Sequence, residues 1–324
     1  AKGWRVNGRL GSIRRENWSV FLTNKQSRIQ KVSFSEIEGT GIELFIKRED
    51  ELHHFISGNK YRKLNYNLEE AKQLKHHTLL TFGGAYSNHI AAVAYAGKEY
   101  GFKTIGVIRG DELQNKVQTN PTLDFAESCG MQFKFVTREH YRQKTSESFI
   151  ENLKTEFGSF YLLPEGGTNK YAIKGCEEIL TKEDSQFDYI CSAVGTGGTI
   201  SGLINSTANH QTVIGFPALK GDFLNHEIKK WTNNTNWELN TNYHFGGYAK
   251  INSELVEFIN KFKLDFGIPL DPVYTGKMLF GIFDMIKKEK FKKGSKVLAI
   301  HTGGLQGIVG MNQMLKAKNM QLIK

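Results

Sequence analysis

Residues 57–64 read SGNKYRKL, and the remainder of the chain can be arranged around the lysine at position 60. The apolar residues that follow it recur at helical spacing, with Lys60 one turn before the first of them: Leu64, Leu68, Ala71 and Leu74. Gly58 and Asn59 are turn and capping residues, so Lys60 is expected in the first turn of a helix, at the head of a buried stripe. The helix dipole and burial both lower the pKa of an ammonium there, which suits a Schiff-base lysine. A solvated helix lysine is the alternative, because the chain has 43 Lys and Arg residues.

The composition indicates a folded α/β protein. At 324 residues, with 39% hydrophobic and 12% aromatic residues, the chain suits two domains or one large α/β unit. Its net charge of +10 favours an anionic partner. The densest basic run, IKKEKFKKGSK at 286–296, alternates with apolar residues as a solvated helix face does, and no aromatic platform accompanies it. We therefore expect a small anionic ligand and no nucleic acid.

Cysteine content and hydropathy indicate the cellular compartment of the protein. The three cysteines, Cys129, Cys176 and Cys191, are odd in number and widely spaced, which argues against a disulfide framework or a zinc site. The amino-terminal residues AKGWRVNGRL lack the apolar run of a signal peptide, and the longest apolar stretch, residues 90–97, is too short to cross a bilayer. The sequence predicts a soluble, cytoplasmic protein with no membrane association and no metal.

From residue 42 onward, apolar segments of strand and helix length alternate. We predict strands at 43–47, 77–82, 103–108, 132–136, 189–194, 212–216 and 296–300. We predict helices from 60 and from 305, and at 90–100, 121–128, 139–157, 170–181, 199–206, 253–264 and 276–288. The first forty residues read as an irregular covering segment, and the asparagine-rich residues 233–242 as a polar loop. Such alternation predicts parallel sheets covered on both faces, and FYLLPEGGTN at 160–169 marks a break between two α/β units.

A glycine-rich turn, VGTGGT at 194–199, follows a predicted strand and opens a helix. Backbone N–H groups and the helix N-terminus there form a cradle for a phosphate. No lysine follows the last glycine as in a P-loop, and the glycine spacing differs from a dinucleotide fingerprint. An ordinary strand-to-helix turn is the alternative.

Three further turns carry polar groups: GGAYSNH at 83–89, DPVYTGK at 271–277 and IHTGG at 300–304. Ser87 and Asn88 are N-cap residues before an apolar helix, so they either face a substrate carboxylate or only cap the helix. His301 is a candidate base, although a single histidine at a strand end is more often structural. The chain shows neither a Ser/His/Asp order nor metal-ligand spacing.

These five motifs, in this order, resemble the pyridoxal-phosphate enzymes of the 1-aminocyclopropane-1-carboxylate (ACC) deaminase and D-cysteine desulfhydrase family. The resemblance implies an α/β fold of two doubly wound parallel-sheet domains, the fold type II of the tryptophan synthase β subunit. It places residues 1–61 and 162–324 in a discontinuous large domain and residues 62–161 in a small inserted one. It also implies pyridoxal 5'-phosphate as cofactor, a small amino acid as substrate, and a homodimer.

The resemblance assigns roles by position. Lys60 matches the Schiff-base lysine, Ser87 the serine near the substrate carboxylate, and Tyr274 a tyrosine over the active site. Cofactor contacts are implied for Asn59, Lys60, Asn88, Gly195, Thr196, Gly197, Gly198, Thr199 and Thr302. The substrate pocket is implied to include Tyr86, Ser87, His89 and Thr275.

Two positions distinguish branches of the family. Deaminases that open the cyclopropane ring have glutamate and leucine where this chain has Thr275 and Thr302. Because a hydroxyl holds the cofactor's pyridine nitrogen protonated less well than a carboxylate, the threonines favour β-elimination from D-cysteine. ACC deaminase, a D-serine-type racemase or dehydratase, and a non-catalytic cofactor-binding protein remain alternatives. Tyr86 replaces a glutamine common in the family, so it is expected to reshape the substrate pocket.

Overall fold

The computed structural model describes residues 25–56 and 58–324. Ten strands form two sheets: β1 (Ile29–Val32), β2 (Glu43–Lys47), β3 (Thr78–Gly83), β4 (Lys103–Arg109), β5 (Met131–Val136), β6 (Tyr161–Leu163), β7 (Tyr189–Val194), β8 (Thr212–Pro217), β9 (Trp237–Leu239) and β10 (Lys296–Ile300). The helices are α1 (Asn59–Gln73), α2 (Asn88–Tyr100), α3 (Pro121–Ser128), α4 (Arg138–Arg142), α5 (Glu147–Phe157), α6 (Lys170–Glu177), α7 (Gly198–Ser206), α8 (Phe223–Lys229), α9 (Ser253–Phe266), α10 (Thr275–Lys287) and α11 (Gly307–Ala317). Residues 1–24, which hold most of the predicted covering segment and the amino-terminal stretch AKGWRVNGRL, lie outside the described residues.

The larger sheet has the strand order β1-β2-β10-β7-β8-β9, and the smaller has β5-β4-β3-β6. Every pairing is parallel except that of β1 with β2. The predicted α/β class with parallel sheets is thereby confirmed. The smaller sheet is built from residues between 78 and 163, so β6 runs two residues past the expected end of the inserted unit. The division into domains at 61 and 161 stays a prediction.

The central strands of the larger sheet are apolar on both faces. In β10, Val297 and Ala299 pack into one cluster and Leu298 and Ile300 into another. Successive side chains of a strand point to opposite faces, so helices cover this sheet on each side. The smaller sheet shows the same division, with Leu79 and Leu80 in different clusters.

Two edge strands contradict the sequence interpretation. The region taken as irregular contains β1, which pairs with β2, and the asparagine-rich region taken as a loop contains β9, which pairs with β8. Both segments are short and half-exposed, so their conformation depends on a partner strand more than on their own pattern. The short helix α8 was also not predicted.

Three helix predictions were wrong in part. The helix expected at 170–181 ends at Glu177, with Glu178 as its C-cap. Leu74, expected on the buried stripe, is the C-cap of α1, and 55% of its surface is exposed. The helix expected at 139–157 is two helices, because residues 143–146 leave the helical path and Ser146 caps the second one by accepting a hydrogen bond from Phe149 N. In the part of the chain that the structure describes, no helix has the length and apolar character needed to span a membrane.

Candidate active site

Lys60 lies in the first turn of α1, and its Nζ donates a hydrogen bond to the carbonyl of Gly166 at 3.0 Å. Burial and the nearby charge of Lys63 hold the pKa of Lys60 well below its ordinary value. Gly58 adopts φ +60°, and a Cβ there would lie 1.9 Å from the Thr302 carbonyl oxygen. This close approach fixes the turn before Lys60 against the turn after β10.

Lys63 stands one turn further along α1 on the same side. Its Nζ donates to the same Gly166 carbonyl at 3.1 Å and to Thr168 Oγ1 at 3.3 Å, and burial lowers its pKa. Among the described residues, no carboxylate forms an ion pair with Lys60 or Lys63. Two buried ammonium groups that share one neutral acceptor form a site for an anion. The sequence interpretation missed Lys63, although its spacing of three residues from Lys60 was visible.

The glycine-rich turn borders this pair of lysines. Gly197 has φ +87°, and α7 begins at Gly198. A Cβ on Gly198 would lie 3.0 Å from Lys63 Nζ and 2.6 Å from Thr168 Oγ1. The absence of a side chain therefore leaves open the space between the helix N-terminus and the ammonium, where a phosphate would be bound from both sides.

Hydroxyl and amide groups line the same turn. Asn59 Nδ2 donates to Thr199 Oγ1 at 2.8 Å. Thr196 Oγ1 lies 2.6 Å from Thr168 Oγ1. Asn59 and the glycine turn, predicted as one cofactor site, are thus in contact, and residues 166–168 of the predicted break join them. The contribution of residues 166–168 to the site was not predicted, because PEGGT at 164–168 was interpreted only as part of the break between two α/β units.

Ser87 and Asn88 stand at the start of α2. Ser87 Oγ accepts a hydrogen bond from Ile90 N at 3.3 Å, which satisfies the helix end and leaves the hydroxyl proton available. Asn88 faces the turn after β10, since a Cβ on Gly304 would lie 2.7 Å from Asn88 Nδ2. Capping and ligand binding are therefore compatible at Ser87.

His89 is 1% exposed and supplies an acceptor beside the lysines. Thr81 Oγ1 donates to the Leu163 carbonyl at 2.9 Å, so His89 Nε2 carries the proton in its 2.8 Å contact with Thr81. Nδ1 is then unprotonated, and it has no hydrogen-bond partner among the described residues. Burial, with the charges of Lys60 and Lys63, keeps the pKa of His89 well below its ordinary value.

Tyr274 and Thr275 open α10 in different surroundings. The Tyr274 ring lies against the glycine turn, with Cε1 3.2 Å from the position a Cβ on Gly195 would take. Thr275 is fully buried, and its hydroxyl donates to Asp271 Oδ1 at 2.7 Å while accepting from Asp271 N at 3.0 Å. The Thr275 hydroxyl proton is therefore held within the helix start.

Tyr248 is a site residue that the sequence interpretation missed. Its ring centroid lies 6.3 Å from that of Tyr274, and the two rings meet edge to face. Burial raises the pKa of both phenols, Tyr274 more strongly. Tyr248 lies in an irregular loop with no periodic pattern, so nothing in its neighbourhood marked it.

The remaining predicted residues lie at the edge of this arrangement. Thr302 is buried and contributes its carbonyl, which accepts from Asn59 N at 3.2 Å. Tyr86 is 49% exposed, and its ring lies against Gly310 in α11. His301 uses both ring nitrogens on backbone groups, Pro269 O and Gly303 N, which supports its structural alternative.

The two α/β sheets, the paired lysines and the glycine turn define an enzyme that binds a phosphate beside a nucleophilic amine. The sequence pattern of the family described as "Pyridoxal-phosphate dependent enzyme" matches residues 23–303. The chain belongs to this family, and its cofactor is pyridoxal phosphate.

Relatives place the chain more closely within that family. It is 32% identical to the bifunctional D-cysteine desulfhydrase/1-aminocyclopropane-1-carboxylate deaminase, mitochondrial, of Arabidopsis thaliana, over 83% of this chain and 74% of the relative. It is 30% identical to the ACC deaminase of Rhizobium rhizogenes, over 89% and 95%. A crystal structure of an ACC deaminase homologue superposes with a TM-score of 0.76 at 30% identity, covering 90% of this chain and 94% of the other.

The residues present fit pyridoxal phosphate. Lys63, the open space at Gly198 and the N-terminus of α7 suit the phosphate, and Lys60 supplies an amine of lowered pKa. The unpaired acceptor of His89 and the amide of Asn88 are polar groups that a ring with hydrogen-bonding substituents can use. In the described part of the chain, no cluster of metal-ligating side chains competes with this assignment.

Proposed function

We propose that the protein is a D-cysteine desulfhydrase, a lyase that converts D-cysteine and water into pyruvate, ammonia and hydrogen sulfide. The observation that carries the proposal is the hydroxyl side chain of Thr275, at the position where ring-opening deaminases of the family have a glutamate. The neighbouring Asp271 carboxylate does not replace that glutamate: its oxygens accept from the N–H groups of residues 273, 274 and 275 and from the Thr275 hydroxyl. Because its oxygens accept these hydrogen bonds, the Asp271 carboxylate stabilises the start of α10.

Pyridoxal phosphate supplies a carbonyl carbon that bonds to amines and a ring that accepts electrons from Cα of the substrate. With the cofactor bound, Lys60 would hold it through Nζ and would be the base for the Cα proton of the substrate. Its lowered pKa supports this role, because a neutral amine is needed at Nζ. Lys63 would hold the phosphate, whose negative charge would favour its ammonium form.

Ser87 and Tyr274 are proposed to bind and protonate the substrate. The free hydroxyl proton of Ser87 suits the substrate carboxylate, since Ser87 Oγ already accepts from the helix. Burial raises the pKa of Tyr274 well above its ordinary value, so its hydroxyl keeps its proton near neutral pH and is suited to donate to a leaving thiolate. His89 remains neutral and forms part of the wall of the site beside Lys60.

A substrate panel tests the reaction. Sulfide and keto acid are measured with D-cysteine, L-cysteine, D-serine and the cyclopropane amino acid, with Lys60→Ala as the inactive control. We expect sulfide and pyruvate from D-cysteine above all other products. A preference for the cyclopropane amino acid, with release of α-ketobutyrate, would establish the ACC deaminase, the activity for which the Rhizobium rhizogenes relative is named, whereas the Arabidopsis thaliana relative is named for both activities.

A racemase, a dehydratase and a non-catalytic cofactor-binding protein would each give a different result in the same panel. Racemisation without keto acid would identify a racemase, and pyruvate from D-serine alone would identify a dehydratase. A visible cofactor band with no turnover of any amino acid would identify a cofactor-binding protein.

We also propose a cytoplasmic homodimer. Cys129, Cys176 and Cys191 are all free thiols, as a reducing compartment favours, and the family resemblance supports the dimer. Light scattering of the purified holoenzyme measures the mass of the assembly, and a monomer would contradict the dimer. Fractionation of the source cells tests the compartment, and recovery outside the cytoplasm would contradict it.

A further inference from the structure

Lys277 is a buried lysine that the proposed chemistry does not use. It lies in the first turn of α10, three residues after Tyr274, and is 2% exposed. Its Nζ donates to the carbonyl oxygens of His244 and Gly247, both at 2.9 Å. The charge of Asp271 favours the ammonium, yet no carboxylate of the described chain forms an ion pair with Lys277. A cation at this end of a helix is disfavoured, so its hydrogen bonds to the loop are its main stabilising contacts.

The loop at 244–250 has a strained backbone. Phe245 and Ala249 adopt φ +54° and +55°, a left-handed conformation that side chains other than glycine seldom take. The two carbonyls that receive Lys277 also accept the N–H groups that close two consecutive turns of this loop. Lys277 therefore joins the two turns and attaches both of them to α10.

Tyr248 follows directly after the second of these carbonyls. Its ring meets the Tyr274 ring at 66°, and the Tyr274 ring in turn packs on Gly195 of the glycine turn. Tyr274 is carried by α10 itself, whereas Tyr248 reaches the site only through the loop. Both tyrosines thus depend on the same helix, Tyr248 by way of the Lys277 hydrogen bonds and of the packing of Phe245 on Phe280 of α10.

We propose that Lys277 is a positioning residue, which holds the 244–250 loop on α10 and so keeps Tyr248 against Tyr274 for turnover. The proposal goes beyond the proposed function, because it applies to any substrate whose reaction uses this tyrosine pair. The loop that Lys277 holds is part of the chain itself. Lys277 acts on turnover through Tyr248 and does not contact the substrate.

Hydrogen exchange of the holoenzyme tests the loop without any substrate. Lys277→Met removes the N–H donors at similar length, and Ile282→Val is the matched control, since Ile282 is buried in the same helix. We expect amides of 244–250 to exchange roughly 10-fold faster in Lys277→Met and to be unchanged in Ile282→Val. Equal exchange in both variants would overturn the proposal, whatever the reaction proves to be.

A double-mutant cycle tests the route through Tyr248. With the substrate that the panel identifies, Lys277→Met is expected to lower kcat roughly 10- to 100-fold with KM within about twofold. In a Tyr248→Phe background the same change should lower kcat by no more than about twofold. Multiplying effects would show that Lys277 acts independently of Tyr248 and overturn the proposal. If Lys277→Met does not fold, Lys277→Ala, which also removes the N–H donors, is measured against the same criteria.

Discussion

Lysine ammonium groups are buried in two parts of the molecule with opposite surroundings. On β2, Lys47 is 3% exposed and pairs with Asp184 at 2.6 Å, a carboxylate that is itself 1% exposed. On α1, Lys60 and Lys63 share the neutral carbonyl of Gly166. The first arrangement pairs a cation with a carboxylate, whereas the second has no carboxylate partner among the residues that the structure describes. A buried cation without a carboxylate partner therefore marks a ligand site more clearly than burial or charge does separately.

Of the substitutions that test this comparison, the replacement of Lys60 should have the largest effect, and the effect should be on kcat. We expect Lys60→Ala to lose at least about 1,000-fold in kcat, because the nucleophile and base are removed together. Borohydride reduction followed by peptide mass mapping should find the cofactor on Lys60 in the parent protein and on no lysine in the variant. Lys72→Ala, an exposed change on the same helix, is the control. If the Lys60→Ala variant still carried the reduced cofactor, bound at Lys63, then Lys63 would be the Schiff-base lysine and Lys60 the phosphate ligand.

Breaking the complete pair should affect stability and leave binding intact. Lys47→Met leaves the Asp184 carboxylate buried without its cation, at a cost of about 3–5 kcal/mol in the free energy of unfolding. Denaturant unfolding measures this cost, and Asp184→Asn in the same background should recover part of it. The dissociation constant of pyridoxal phosphate should stay within about twofold. A large loss of cofactor affinity would show that the two regions are not independent.

Replacement of Lys63 should have the opposite result, with weaker cofactor binding and unchanged stability. Lys63→Met should weaken binding of the cofactor roughly 10- to 100-fold, as expected for loss of one charged hydrogen bond to the phosphate. Absorbance titration of the apoprotein measures it, and Lys72→Met controls for the change in net charge. Unfolding of the apoprotein should become no easier, because no buried carboxylate is left behind. An unchanged affinity would remove Lys63 from the phosphate site.

Lys277 is intermediate, with carbonyl partners and no carboxylate, and its effect is expected in the pH dependence of stability. Burial lowers its pKa from 10.5 to about 8, so the unfolded chain binds this proton more tightly than the folded one between those values. The free energy of unfolding of the parent protein should therefore rise relative to Lys277→Met by about 2 kcal/mol from pH 7 to 9.5. Parallel denaturant series at both pH values measure the difference. A fall would mean that the loop holds the ammonium more strongly than burial opposes it.

The sequence allowed much of the parallel framework to be predicted. Residues 43–47, 121–128, 189–194 and 296–300 match their elements residue for residue, because each is a compact apolar run with turn or polar residues at its ends. The strands β1 and β9 were missed, since they are only four and three residues long and neither has a sustained apolar pattern. Local pattern determines a buried strand, whereas an edge strand depends on its neighbour.

At the site, side chains in patterned turns could be predicted and backbone groups could not. Lys60, Ser87 and the glycine turn stand at helix starts that the sequence marks. The carbonyl of Gly166 carries no side-chain information, although both lysines converge on it. Tyr248 depends on a loop whose path follows from positive φ angles and from Lys277, which spacing rules do not describe.

Tyr86 lies with its ring on α11, where a Cβ on Gly310 would stand 2.5 Å from Tyr86 Cδ1. Position 310 has no room for a methyl group while a tyrosine occupies position 86. A methyl group at position 310 would therefore displace the Tyr86 ring, although the two positions are more than 200 residues apart in the chain. In an alignment of related chains, alanine or a larger residue at 310 should accompany a side chain smaller than tyrosine at 86, and the pair should covary as if the two positions were neighbours in sequence.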